Sequence, residues 1–314
     1  MKQLTLRCFA KINIGLDVHA VESHGYHLIS TIFSTINLAD TIELKKADKI
    51  SLEIFGGTSG IPIGEQPFWD NSVFHAWAAV NRRTGKELKF DASLVKEIPV
   101  GSGLGGASTD AAGMIVGLNK LFDLGLSDKD MVRCGDEVGA DVPFLLRGGL
   151  ALAAGCGEVL TYADSAPDLS GIILRMPFAS STHEAYAWLD AHSGQYPTWK
   201  RGSPIPVSDA IRGAFDALSA GVDAPTSLAS HPIGNVFLGY QRSRDIRTDA
   251  YLHALQEMGA YFASVTGTGS ALFGLFEKPP SIAEVRRKLM SLAKPNIIPF
   301  SMKSVAASPQ IIPA

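Results

Sequence analysis

The sequence has no apolar run long enough to cross a bilayer. Its longest uncharged stretch near the C-terminus, "YFASVTGTGSALFGLF" (261–276), is dense in Gly, Ser and Thr. It also falls short of the roughly 20 apolar residues a spanning helix needs. The opening segment "MKQLTLRCFAKINIGLDVH" alternates and lacks the continuous apolar stretch of a signal peptide. Cysteine is scarce. Cys8, Cys134 and Cys156 form an odd set without metal-ligand spacing, which argues against a disulfide framework or a zinc motif and suits a reducing compartment. Basic residues form no long run, and in the dense stretch "RSRDIR" (242–247) an Asp interrupts them. With 28 Lys and Arg against 31 Asp and Glu, a net charge of −3 leaves no electrostatic footprint for nucleic acid. A soluble, cytoplasmic protein acting on neither membranes nor nucleic acid is expected.

What is present fits a globular chain of about two domains, since 314 residues exceed one typical core. Residues 4–18 alternate: Leu4, Leu6, Cys8, Ala10, Ile12, Ile14, Leu16 and Val18 fall on one face, Lys11 and Asn13 on the other. That pattern predicts a strand with one buried face. A second alternation runs from Leu88 to Ile98, interrupted by Lys96, which either snorkels past the sheet edge or lends its charge to the glycine-rich segment after it. Ser108 or Thr109 is expected to cap a helix closed by Gly125, and Ser127 a shorter one stopped at Gly139. Pro143 biases its neighbour to extended backbone, so Asp141 is expected in a tight loop before a strand. That strand, "VPFLLRGGLALAAGC", would turn back at Gly148-Gly149. Beyond residue 160 come two loop-like stretches (193–209 and 221–235), a helix near 245–258, two strands around "TGTGS", and a helix from Ser281. Without repeated βαβ units the fold class is α+β, divided into residues 1–160 and 161–314.

The densest glycine segment is "KEIPVGSGLGGASTDAAGM" (96–114). Its Gly101-x-Gly103-x-x-Gly106 matches a dinucleotide fingerprint, but the acidic residues about 20 positions on (Asp123, Asp128, Asp130) fall around helix ends, not at the end of a second parallel strand. A Walker pattern is absent. A phosphate reading accounts for more. Gly101, Gly103, Gly105 and Gly106 let backbone N–H groups approach an anion, and the following helix presents its positive end to the same spot. Ser108 and Thr109 add hydroxyls, and Lys96 would add a full charge. A triphosphate cradle is the expectation, with a plain glycine turn as the bland alternative.

Together the motifs resemble a known family. "PVGSGLGGASTDAA" (99–112) resembles the central motif of the GHMP kinases, "VTGTGSALFGLF" (265–276) their C-terminal glycine motif, and "FAKINIGLDV" (9–18) their N-terminal strand, in the family's order. "HGYHLISTIFSTINLADTI" (24–42), "GADVPF" (139–144) and "SSTHEAY" (180–186) are similar to segments of the branch that phosphorylates a cytidine-diphosphate-linked methylerythritol.

The resemblance implies a two-domain GHMP kinase fold: a ribosomal-S5-domain-2-like N-terminal domain and a ferredoxin-like C-terminal α/β sandwich, with the active site in the cleft between them. It implies ATP as co-substrate, Mg²⁺ with unassigned ligands, and transfer of phosphoryl to the 2-hydroxyl, giving ADP. A kinase for another small alcohol, of the homoserine or mevalonate type, and a non-catalytic nucleotide-binding regulator are the alternatives. Lys11 and Asp141 would be the catalytic pair. Asn71 and Lys96 would border the ATP base, and Pro99, Val100, Gly101, Ser102, Gly103, Leu104, Gly105, Gly106, Ala107, Ser108 and Thr109 would wrap the triphosphate. Tyr26 and Tyr186 would stack on cytosine, His27 would read its edge, Thr182 would lie nearby, and Asn13 would contact the methylerythritol. Three departures stand out: His24 replaces an Asp, Ala107 a Gly or Ser, and "SHPIGNVF" (230–237) lacks the family's Asn-Asp-Leu/Phe-Glu. Oligomeric state is not legible.

Overall fold

A computed structural model of the chain describes residues 3–23, 25–56, 68–165, 167–192, 196–290, 292 and 297–312. His24 and the start of the 193–209 stretch lie outside them. Two sheets organise the described residues. The first is built on two long antiparallel strands, β1 (Gln3–Val21) and β2 (His27–Lys46). β3 (Ser51–Gly56) and β4 (Phe90–Lys96) extend it beyond the second half of β2, and β3–β4 is a parallel pair. The first half of β2 pairs instead with β5 (Leu150–Ala154), which forms a hairpin with β6 (Val159–Tyr162). The second sheet is antiparallel throughout, in the order β10-β7-β9-β8, from β7 (Ser170–Arg175), β8 (Phe262–Val265), β9 (Leu272–Phe276) and β10 (Ile298–Lys303). The last strand, β11 (Gln310–Ile312), returns to the first sheet and pairs with β1. The expected division at residue 160 therefore falls inside β6, and the change of sheet comes between Tyr162 and Ser170.

Helices α1 (Ser72–Thr84), α2 (Gly106–Phe122), α3 (Asp128–Asp136) and α4 (Val142–Leu145) pack with the first sheet around Leu6, Phe90, Met114, Ile115 and Leu118. The later helices are α5 (Thr182–His192), α6 (Asp209–Ser219), α7 (Ala224–Ser230), α8 (Leu238–Arg244), α9 (Thr248–Glu257) and α10 (Ile282–Met290). One apolar cluster joins Ile12, Ile14 and Ile32 of the first sheet to Ile173, Phe273 and Leu275 of the second, together with Ile211, Phe215 and Leu218 of α6. The two halves thus share a core.

Several local expectations are revised. β1 is buried on both faces across Cys8–Leu16, because other elements cover its polar face. Neither Ser108 nor Thr109 caps α2: the cap is Gly105 in left-handed backbone, with no side-chain hydrogen bond. Ser127 does cap α3, accepting from the Asp130 N–H. Pro143 does not stand in a strand but in the first turn of α4, where its missing N–H costs nothing. The hairpin turn accordingly lies between β5 and β6, not at Gly148-Gly149. The 221–235 stretch contains α7, begun by the Asp223 carboxylate accepting from Thr226 N–H.

Candidate active site

One cavity of about 1130 Å³ opens where the two halves meet. That exceeds the roughly 300–1,000 Å³ usual for a single small molecule and leaves room for two. Every site residue expected from the sequence lines it except Thr109, which is fully buried and donates its hydroxyl to the Phe9 carbonyl at 2.8 Å.

The glycine loop forms one wall. Gly101, Gly103 and Gly105 alternate in left-handed backbone at φ of 62°, 77° and 75°, the conformation that turns successive N–H groups toward one point. With no side chain capping α2, the N–H groups of Gly106, Ala107 and Ser108 have no acceptor inside the helix. Ala107 is tolerated because it sits in a helical turn. Gly103 has a second task. A Cβ there would lie 2.1 Å from the Thr266 carbonyl oxygen, so the loop packs directly on the C-terminal glycine motif. The clasp is completed by N–H groups of Ser180 (2.7 Å) and Ser270 (3.2 Å) on the Gly101 carbonyl, and of Ala271 on that of Ser102 (3.0 Å). The Ser102 hydroxyl is spent on the Pro99 carbonyl at 2.6 Å, while Val100 stands exposed at the rim.

Lys96 behaves differently from the expected free cation. Its ammonium is held between the carboxylates of Asp40 and Asp110, both buried. Burial pulls against its charge, but the two carboxylates outweigh burial and raise its pKa. Burial, with Asp40 beside it, pushes the Asp110 carboxyl well above the usual range, and Asp110 Oδ1 has no partner. The other oxygen of Asp40 accepts the N–H groups of Glu97 (2.6 Å) and Ile98 (2.8 Å), which fixes the entry to the loop. Lys96 lines the cavity, but its charge is already committed. On the same side Asn71 caps α1, its side-chain oxygen accepting from Val73 N–H at 2.9 Å.

Lys11 and Asp141 meet on the floor. Lys11 Nζ lies 3.2 Å from Asp141 Oδ2, and the lysine is buried while Asp141 remains a third exposed. A register irregularity between Phe9 and Lys11, of the kind that re-aims side chains, precedes it. Lys11 also donates to Asn13 Oδ1 at 2.6 Å, and its main-chain N–H donates to the Leu104 carbonyl of the glycine loop. Asn13 Nδ2 donates to Thr31 Oγ1 at 3.1 Å, which leaves its second amide hydrogen over. Its amide therefore holds Lys11 in place, whatever else it touches.

Another side is aromatic. Tyr186 of α5 lies tilted against His27, ring centroids 4.7 Å apart, and its edge meets Phe237. Burial raises the Tyr186 phenol. Tyr26 is 66% exposed at the mouth, and Thr182 stands one helical turn before Tyr186. Three supporting residues are not among the expected site residues. Thr266 accepts the Asn13 N–H (3.0 Å), and Asn235 Nδ2 donates to the Val265 and Gly267 carbonyls at 3.0 Å each. Asp190 bonds His27 Nε2 at 2.8 Å. A signal for Asn235 does exist: "SHPIGNVF" keeps the Asn and, in Phe237, the Leu/Phe position of the family segment, while its Asp and Glu are replaced.

The GHMP kinase N-terminal domain model matches residues 71–149, and the GHMP kinase C-terminal model residues 247–294. The chain is 36% identical over 276 residues to a 4-diphosphocytidyl-2-C-methyl-D-erythritol kinase of Moorella thermoacetica, covering 88% of this chain and 90% of that one. It is 30% identical over 306 residues to the protein of that name from Caldicellulosiruptor bescii, covering 94% and 97%. Among solved structures, a 4-(cytidine 5'-diphospho)-2C-methyl-D-erythritol kinase aligns with a TM-score of 0.71 at 23% identity, over 96% of this chain and 98% of that one. A homoserine kinase from Cytophaga hutchinsonii aligns at 0.70 and 17%, over 99% and 98%. These likenesses share the two-sheet fold. With its glycine loop, its two matched domains and relatives this similar over nearly its whole length, the chain belongs to the GHMP kinases, ATP-dependent phosphotransferases acting on small-molecule alcohols.

Proposed function

We propose that this protein transfers the γ-phosphoryl group of ATP to the 2-hydroxyl of 4-diphosphocytidyl-2-C-methyl-D-erythritol, giving the 2-phosphate and ADP in the non-mevalonate route to isoprenoid precursors. One observation carries the reading: a single cavity is lined by the glycine loop, by an aromatic group bearing His27, and by the Lys11–Asp141 pair. Lys11 bonds the loop through Leu104, and the charge of Asp141 acts on Tyr186. The relatives' names favour the cytidine-linked alcohol over other alcohols.

In this reading residues 99–109 receive the triphosphate, with the N–H groups at the start of α2 facing its charge. Asn71 and Lys96 border the ATP base. Tyr26 and Tyr186 stack on cytosine, His27 meets its edge, and Thr182 and Asn13 complete the substrate side. Asp141 takes the proton of the attacking hydroxyl, or orients it, as the bond from that oxygen to phosphorus forms and the bond to ADP breaks. General-base help of this kind is worth about 10²–10⁴-fold. Lys11 offsets charge on the transferring group; the remainder comes from positioning and electrostatics. Mg²⁺ accompanies ATP and neutralises its phosphates. Among the described residues no three His, Cys, Asp or Glu side chains converge as a metal cage. No residue is assigned to the ion, and the ATP phosphates would supply much of its coordination, as is common for Mg²⁺.

The test is ADP release by purified protein with Mg²⁺-ATP and, in turn, the cytidine-linked methylerythritol, homoserine or mevalonate. Turnover confined to the first is expected. Turnover with another alcohol overturns the substrate, and saturable binding of ATP and ligand without turnover points to a regulator.

A further inference from the structure

Thr182, Tyr186 and Asp190 recur at four-residue intervals on α5, and all three line the cavity. Tyr186 packs on the His27 ring, Tyr196 meets that ring edge-on at 5.9 Å, and Asp190 Oδ1 takes its Nε2 at 2.8 Å. His27 is thereby nearly enclosed, its side chain 9% exposed, while Asp190 stays half exposed. An ionised carboxylate only accepts hydrogen bonds, so the hydrogen of this contact lies on Nε2. In the neutral imidazole, Nδ1 is then a bare acceptor. Without the carboxylate, the two tautomers of His27 can interchange.

We propose that Asp190 is a positioning residue that fixes His27 as its Nε2–H tautomer, so that Nδ1 accepts from the C4 amino group of cytosine and disfavours uracil. The inference rests on the cytidine reading of the cavity given above. The two bases differ at C4: cytosine carries an amino donor there, uracil a carbonyl oxygen. An acceptor facing C4 satisfies the first and opposes the second. A mismatch that leaves a buried polar group unpaired weakens binding by roughly 10–100-fold. Asp190 does not touch the base, so its effect passes entirely through His27.

The experiment measures binding of cytidine diphosphate, uridine diphosphate and ATP to the full chain, and to its Asp190→Ala and Asp190→Asn variants. Histidine ¹⁵N chemical shifts of His27 are recorded in parallel. The native chain is expected to prefer the cytidine nucleotide by about tenfold or more, with His27 in the Nε2–H form. Asp190→Ala should erase most of that preference and mix the tautomers, with ATP affinity kept. Asp190→Asn, whose amide oxygen still accepts from Nε2–H, should retain both the preference and the tautomer. A merely structural role would lower thermal stability but leave the cytidine-to-uridine ratio intact; that result overturns the inference alone. An Nδ1–H tautomer in the native chain does the same. Failure of the native chain to bind the cytidine nucleotide while binding ATP overturns the cytidine reading, and the inference with it.

Discussion

Lys96→Met removes the cation from the buried Asp40–Lys96–Asp110 cluster while keeping most of the side-chain volume. Asp40 and Asp110 are then left facing each other, each almost wholly buried. Removing one member of a buried, hydrogen-bonded ion pair costs about 3–5 kcal/mol, a large share of the roughly 5–15 kcal/mol that holds a domain folded. The carboxyls set the direction with pH. Burial already raises Asp110 in the native chain, and loss of Lys96, which pulls it down, raises it further. A carboxyl whose folded pKa lies above its unfolded value of about 3.9 destabilises the fold above that pH and not below it. The deficit should therefore be largest near pH 8 and shrink toward pH 4–5, as the pair takes up a proton. Urea denaturation followed by circular dichroism reads it: with m of about 3 kcal/mol/M, the midpoint at pH 8 should fall by ~1–1.7 M. Asp110→Asn, which leaves Lys96 paired with Asp40, should lose far less. A Lys96→Met midpoint within about 0.3 M of native, or a deficit that does not change with pH, refutes the assignment of Lys96 to the structural cluster. Lys96 would then be a free cation for the nucleotide.

Two further perturbations separate loop packing from ligand recognition. Gly103→Ala sets a Cβ 2.1 Å from the Thr266 carbonyl at a φ of 77°. It should cost about 2–5 kcal/mol from the combined left-handed and steric penalties. Gly85→Ala, at φ 65° with nothing within 4 Å, should cost only about 1–2 kcal/mol. Thermal unfolding of the two variants compares them, and equal losses would mean that the loop does not press on the C-terminal motif. Tyr26→Ala should raise KM for the cytidine substrate roughly 5–100-fold, the worth of one base–aromatic stack, while KM for ATP holds within about twofold. Parallel losses for both ligands in steady-state kinetics would point to general disruption.

The glycine loop and the strand carrying Lys11 were legible because each depends on local chemistry: glycine where backbone must approach closely, alternation where a strand has a buried face. The fold class was legible for the same reason. The segments bearing Tyr26, Asp141 and Tyr186 stood out through the resemblance to the family. Less legible was anything decided by packing between distant segments. Lys96 reads as a lone cation in the sequence because Asp40 and Asp110, 56 and 14 residues away, meet it only in the folded chain. Pro143 reads as a helix breaker, yet the first turn of a four-residue helix accommodates it. Asp190 is silent in the sequence, since its partner His27 lies 163 residues away. The strand return at β11 has no local signature either, as three exposed residues gain their place only by pairing with β1.

The decisive measurement is single-turnover phosphoryl transfer by Asp141→Asn with ATP and the cytidine-linked methylerythritol both saturating. The substitution keeps the shape beside Lys11 Nζ and removes the carboxylate that lies 3.2 Å from it. Transfer should slow by about 10²–10⁴-fold while both ligands still bind with near-native affinity. Transfer at close to the native rate would contradict the account, because the proton of the attacking hydroxyl would then be handled elsewhere.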